Sequence, residues 1–155
     1  MNEKAYNYAI KYLKNIKTKK DVYDYLIRKG FTDEETSEVC DYIEEVGLVD
    51  DDLYVKFFVE DSFRIKNKGA RKIVYELKQR GIDDDKINEA IEEASDMQYD
   101  ALKEAYERKL EATKSETDEY KRKNKIIRFL ISRGFDYSDI KDLSLIHISE
   151  PTRPY

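Results

Sequence analysis

The 155-residue sequence has no tryptophan, one cysteine, one histidine, two prolines and five glycines. A single cysteine, Cys40, excludes an internal disulfide and suits a reducing compartment. No stretch approaches the ~18 apolar residues of a membrane span, and the N-terminal residues lack the apolar core of a signal peptide, so the expected location is the cytoplasm. Few helix breakers, together with many Lys, Glu, Leu, Ile and Ala, point to an all-α protein. The chain is 41% charged and 40% hydrophobic. Its apolar residues recur with a period near 3.6, a pattern that disordered chains lack. A net charge of −5 argues against coating nucleic acid by bulk electrostatics alone.

One phrase occurs three times: Tyr-Leu-Ile-Arg-Lys-Gly-Phe at 25–31, Glu-Leu-Lys-Gln-Arg-Gly-Ile at 76–82 and Phe-Leu-Ile-Ser-Arg-Gly-Phe at 129–135. Each copy has a Leu four residues before a Gly, a basic residue directly before it and a large apolar residue after it. The glycines, Gly30, Gly81 and Gly134, stand 51 and 53 residues apart. Self-similarity at such a period is the mark of a stacked helical array. Leu26, Leu77 and Leu130 are expected to face the core while the glycines take the left-handed position that ends a helix.

Taken in order, Ala5, Tyr8, Ala9, Tyr12, Leu13 and Ile16 form one apolar stripe on a first helix. Thr18 is expected to cap a second helix carrying Val22, Leu26 and Ile27. Thr32-Asp33-Glu34-Glu35 reads as a capping box for a third, carrying Val39, Tyr42, Ile43 and Val46 and closed by Gly47. An aspartate of Asp50-Asp51-Asp52 should cap a helix with Leu53, Phe57, Phe58 and Ile65, broken at Asn67-Lys68-Gly69. Ile73, Val74 and Leu77 then share one helix face. Asp83-Asp84-Asp85 opens a helix through Ile87, Ala90, Ile91 and Ala94. Ser95-Asp96-Met97-Gln98 reads as a further capping box before a long helix with Met97, Ala101, Leu102, Ala105, Tyr106 and Leu110. Tyr120 to Arg133 repeats the basic helix, and Ser138 is expected to cap a ninth helix through Ile140 and Leu143. From Ser144 the composition shifts abruptly, and 144–155 resembles the translation product of an artificial adaptor. It is expected to be a non-native tail that leaves the last repeat truncated. The expected repeats are 2–47, 48–94 and an incomplete 95–143.

Charge sorts by helix position. Lys11 to Lys29 holds seven cations against Asp21 and Asp24, Arg64 to Arg80 seven against Glu76, and Tyr120 to Arg133 six and no acid. The stretch Asp33 to Asp52 has ten acids and no base, and Asp83 to Asp96 seven acids against Lys86. Opposite-sign helices that attract one another would explain part of this. Recurrence in three units favours a working basic stripe. Its candidate contacts are Lys19, Lys20, Arg28 and Lys29 in the first unit and Lys68, Arg71, Lys72, Lys78 and Arg80 in the second. In the third they are Lys121, Arg122, Lys123, Lys125, Arg128 and Arg133.

Chemistry finds little foothold. His147 lies in the expected tail, and Cys40 sits on an acidic helix where neighbouring charge disfavours a thiolate. The aspartate triplets lack calcium-loop spacing and stand where helix caps belong. No enzyme activity, metal or cofactor is expected. Tyr8, Tyr12 and Tyr106 fall on core stripes and Tyr54, Tyr75 and Tyr120 nearer the rims, so base stacking is not favoured.

Three ordered motifs carry a resemblance to a known family. They are Ala5-Tyr8-Ala9-Tyr12-Leu13 with Leu26-Arg28-Lys29-Gly30-Phe31; Gly47-Leu48-Val49-Asp50-Asp51-Asp52-Leu53-Tyr54 with Phe57-Phe58-Val59; and Lys68-Gly69-Ala70-Arg71-Lys72-Ile73 with Leu77-Lys78-Gln79-Arg80-Gly81-Ile82. Over Asn2 to Leu143 the chain resembles the RecX family of recombination regulators. Val55, Ala70 and the Glu60-Asp61 pair depart from the family pattern. The resemblance implies an elongated, curved, right-handed array of three helix-turn-helix-like repeats. It also implies a monomer that binds the RecA–DNA filament, blocks its growth and damps strand exchange and coprotease activity in the DNA-repair SOS response, without a cofactor. The alternative from the residues alone is a stand-alone DNA-binding helical-repeat protein.

Overall fold

A computed structural model of the chain describes residues 1–148, with side chains to Leu143. Residues 149–155 of the expected tail lie outside the described residues. All regular structure among the described residues is helical. It comprises α1 (Glu3–Tyr12), α2 (Lys19–Arg28), α3 (Asp33–Glu45), α4 (Asp51–Arg64), α5 (Ala70–Gln79), α6 (Asp84–Glu93), α7 (Asp96–Ala112), α8 (Glu119–Ser132) and α9 (Tyr137–Ile148). The helices fall into three groups of three, in which α2, α5 and α8 are the second members. Two compact units share the chain: Met1–Phe57 with Leu77–Ile87, and Phe58–Glu76 with the described residues from Asn88 onward. The division cuts through the second repeat.

Local chemistry sets most helix boundaries. Thr18 and Thr32 each accept a hydrogen bond from the backbone N–H three residues on, while Asp21 and Glu35 accept from the threonine amides. Asp50 accepts from the Leu53 amide, and Asp118 from the amides of Tyr120 and Lys121. Each second helix ends alike: the amides of Phe31, Ile82 and Phe135 donate to the carbonyls of Leu26, Leu77 and Leu130. Gly30, Gly81 and Gly134 hold φ of +96°, +77° and +98°, which only glycine adopts without strain. The three leucines are fully buried. The repeated phrase is therefore a helix stop.

In the first unit α1, α2 and α3 pack on one another around Ala5, Ala9, Val22, Leu26, Val39, Cys40, Ile43 and Val49. In the second, α7 packs on α8 and α8 on α9. Here Ala101, Leu102, Ala105, Tyr106, Ile126, Leu130, Ile140 and Leu143 are buried.

Several sequence expectations need correction. Helix α1 stops at Tyr12, so Ile16 falls in the link to α2 and is exposed. Tyr42 and Val46 point outward from α3. On α4 the buried face is Tyr54, Val55, Val59 and Phe63, whereas Leu53, Phe57 and Ile65 are exposed. Ser95 makes no side-chain cap: at φ −59°, ψ −30° its backbone is already helical, so α6 turns straight into α7. The Asp136 carbonyl accepts from the Ile140 amide and α9 begins at Tyr137, which places Ser138 inside the first turn. Helix α9 also runs five residues past Leu143, where the last repeat was expected to be truncated, and Leu130 and Phe135 are buried.

Candidate interaction surface

Helical spacing divides the cations of α2, α5 and α8 into outward and committed sets. On α8, Lys121, Lys125 and Arg128 are spaced four and three apart and exposed, with Tyr120 and Ile131 exposed on the same side. Lys123 is exposed too, but the helical period sets it on the opposite side of α8 from those three. On α5 one exposed face carries Arg71, Tyr75 and Lys78, with Lys72 half-buried beside them. On α2 the outward side carries Lys20, Asp24 and Arg28, an acid between two cations.

The outward heads are lightly held. Lys20 pairs with Asp24 at 2.7 Å, Lys78 with Asp84 at 3.4 Å, Arg71 with Asp136 at 2.6 Å and Lys125 with Glu116 at 2.9 Å. Pairs at so open a surface add little to stability and exchange readily for another anion. The Lys125 ammonium holds the Glu116 carboxyl below its usual range. Arg28, Lys121, Lys123 and Arg128 have no ion pair among the described residues.

Five other sequence candidates are built into the fold. The Lys19 ammonium reaches Asp41 at 2.8 Å and Glu44 at 3.1 Å, and the hydrogen bond to Asp41 is the main reason its pKa is raised. Lys68 is only 9% exposed and donates to both Glu76 oxygens at 2.8 and 2.9 Å. Arg80 donates to Asp21 at 3.1 Å and lies over the Tyr54 ring. Arg122 donates to the Leu110 carbonyl at 2.7 Å and to Thr113 Oγ1 at 3.3 Å, satisfying the end of α7. The Arg133 guanidinium donates to the Lys66 carbonyl. Lys29 is a separate case, its ammonium resting over tyrosine rings.

The acidic triplet at α4 disperses into three tasks. Asp50 caps α4, Asp51 accepts from the Lys19 amide at 2.9 Å and so caps the start of α2, and Asp52 pairs with Lys86 at 3.1 Å. That Asp51 would serve another helix was not legible from local spacing.

Tyr54, expected near the rim, is buried beneath Arg80. Tyr75 and Tyr120 are exposed as expected. Cys40 is buried and its thiol is pushed up to about 11, by burial first, while nearby Lys19 opposes the shift and the charges of Asp41 and Glu44 reinforce it. Burial thus outweighs the charge effect inferred from sequence. Native protein at pH 8 is expected to resist iodoacetamide and to alkylate fully in urea. Because the folded pKa lies above the 9.0 of a free thiol, the thiol's contribution to stability is complete below pH 9 and fades as pH rises toward 11. Rapid alkylation of folded protein would contradict this burial.

No helix among the described residues is long and apolar enough to cross a membrane. Residues 50–91 match the model of the RecX second three-helix domain and residues 96–143 that of the RecX third three-helix domain. Regulatory protein RecX of Clostridium botulinum (strain Alaska E43 / Type E3) is 36% identical over 132 residues, 84% of this chain and 61% of the relative. The chain therefore spans about three fifths of that relative's length. Regulatory protein RecX of Prosthecochloris aestuarii is 32% identical over 141 residues, 89% of each chain. The crystal structure of RecX from Lactobacillus salivarius superposes with a TM-score of 0.77 at 26% identity, covering 92% of this chain and 96% of that one. A second crystal structure, of a regulatory protein RecX, gives a TM-score of 0.84 at 22% identity over 92% of this chain and 72% of the other, a likeness of fold.

Proposed function

The chain belongs to the RecX family, and from that membership we propose that it binds the RecA–DNA filament through the outward faces of α2, α5 and α8 and restrains filament extension. Membership in a family of proteins named as regulators supports the regulatory role. The observation that supports this surface is the division among its cations. Lys19, Lys68, Arg80, Arg122 and Arg133 are consumed by the fold, while Arg28, Arg71, Lys78, Lys121, Lys125 and Arg128 extend from it.

Cations held in weak pairs give up little when they meet a carboxylate or a DNA phosphate, and they speed encounter with an acidic partner. The outward acids of α3, Glu34, Glu38 and Glu45 among them, repel the same partner and so favour one docking side. The mechanism is occupation of the filament surface. It is steric and electrostatic, and uses no cofactor.

The test is the double reversal Lys121→Glu/Arg128→Glu. Both heads are exposed, so helicity and melting should match the unaltered chain. About tenfold more protein should be needed for half-inhibition of RecA ATPase on single-stranded DNA, the equivalent of about 1.4 kcal/mol. Unchanged inhibition would remove α8 from the interface. A chain that leaves RecA untouched yet binds duplex DNA, with an affinity falling steeply with salt, would be a stand-alone DNA-binding protein.

A further inference from the structure

The free end of α2 in the first unit differs in kind from the basic faces above. The rings of Tyr12 and Tyr25 are stacked in parallel, with centroids 4.0 Å apart and planes 7° apart. Lys17 Nζ lies 4.8 Å from the Tyr12 centroid, and Lys29 Nζ lies 5.4 Å from that of Tyr25 and 5.8 Å from that of Tyr8. Phe31 meets Tyr8 edge-on at 5.7 Å. All four rings are half-buried, packed against the core of the unit yet open at the rim.

The surroundings are basic. Lys11, Lys14, Arg28 and Lys29 are exposed, and no acid stands between Lys11 and Lys20. Of the acids nearest in sequence, Asp24 is engaged by Lys20, Asp21 by Thr18 and Arg80, and Asp33 by the Tyr23 hydroxyl, while Glu34 is exposed three residues beyond Phe31. A second feature sets this end apart from its two counterparts. A Cβ on Gly81 would meet Lys20, and one on Gly134 would meet Lys72 and Gly69, but nothing lies within 4 Å of the same position on Gly30. The backbone there is open to close approach.

We propose that this end of α2 binds single-stranded nucleic acid, with bases stacking on the Tyr12–Tyr25 pair. The ring spacing is close to the ~3.4 Å rise between bases of one strand. A base is a flat partner that can take the place of an ammonium on a ring face, and the displaced Lys17 and Lys29 are then free to meet the flanking phosphates. Aromatic platforms within a basic groove are how proteins hold single strands without sequence preference. A duplex hides its base faces, and an acidic peptide would satisfy the cations but leave the rings unused. This site needs no RecA and does not depend on the filament reading.

The experiment is fluorescence anisotropy of a dye-labelled oligothymidylate of about 16 nucleotides with the full chain and no RecA. Tyr12→Leu/Tyr25→Leu keeps apolar cover over the core and should weaken binding at least tenfold, while Tyr12→Phe/Tyr25→Phe should stay within about twofold. The unaltered chain should also bind the oligothymidylate about tenfold more tightly than an abasic phosphate chain of the same length or polyglutamate, a comparison that decides the matter even if the leucine variant fails to fold. No binding by the unaltered chain, equal binding of the abasic chain or of polyglutamate, or a folded leucine variant that binds as well as the unaltered one would each overturn the site. The leucine variant keeps every cation of α8, so loss of oligothymidylate binding with RecA inhibition intact separates this site from the filament interface.

Discussion

Gly69→Ala is expected to destabilise the second unit by about 3 kcal/mol or more, seen as a lower urea midpoint with unchanged slope. A Cβ at Gly69 would sit 2.2 Å from the Gly134 carbonyl carbon, 2.3 Å from its oxygen and 2.4 Å from the Phe135 nitrogen. All three are backbone atoms, so no side chain can swing aside. The same peptides are tied together by hydrogen bonds: the Gly69 amide donates to Arg133 O at 2.7 Å and the Arg71 amide to Gly134 O at 3.1 Å. These bonds satisfy amides at the start of α5 with carbonyls at the end of α8. Making room for a methyl group opens both, and a buried unpaired polar group costs about 1–3 kcal/mol. Gly30→Ala is the control. There only the left-handed φ of +96° opposes alanine, with nothing within 4 Å, and the loss should be about 1–2 kcal/mol. Equal losses at the two positions would mean that the α5–α8 joint is looser than its distances state.

The architecture was legible wherever one residue dictates its own backbone. Gly30, Gly81 and Gly134 each stop a helix, and Thr18 and Thr32 each start one, because the interactions involved span three or four residues. Legibility failed where the competing element lies outside the window. Ser95-Asp96-Met97-Gln98 has the spacing of a capping box, but such a box needs an extended backbone at its first residue, and Ser95 inherits helical angles from the turn after α6. Helix α4 failed differently. Leu53, Tyr54, Val55, Phe57, Phe58, Val59, Phe63 and Ile65 leave apolar residues on nearly every side of it, so periodicity cannot choose the buried face. Tertiary packing chooses Tyr54, Val55, Val59 and Phe63.

The candidate surface was legible as a charge count and illegible as a set of residues. Net sign along a helix survives folding, whereas the use of each cation depends on residues distant in sequence. Arg80 pairs with Asp21 across 59 positions and Arg133 with Lys66 across 67. The aromatic site on α2 was missed for the same reason. Tyr12 lies on the core stripe of α1, and only Tyr25 of the next helix turns its ring into half of a platform.

Lys68 shows the consequence of that distinction. It stands among the sequence candidates for partner contact, yet its ammonium is enclosed and forked onto Glu76. Removing one member of a buried pair leaves the other desolvated without compensation, at a cost of about 3–5 kcal/mol when both are fully enclosed. The Glu76 side chain is 31% exposed, so water recovers part of that loss, and Glu76→Ala should destabilise the chain by about 2 kcal/mol. Replacing both partners with apolar residues of similar volume, Lys68→Met/Glu76→Leu, removes the uncompensated charge and should recover most of the stability. A partner-contact role gives the opposite pattern, with melting unchanged in Glu76→Ala and RecA inhibition lost in Lys68→Met/Glu76→Leu. The expected result is that inhibition survives in the stable double variant, because Lys68 is spent within the fold and the filament would meet only the cations that extend beyond it.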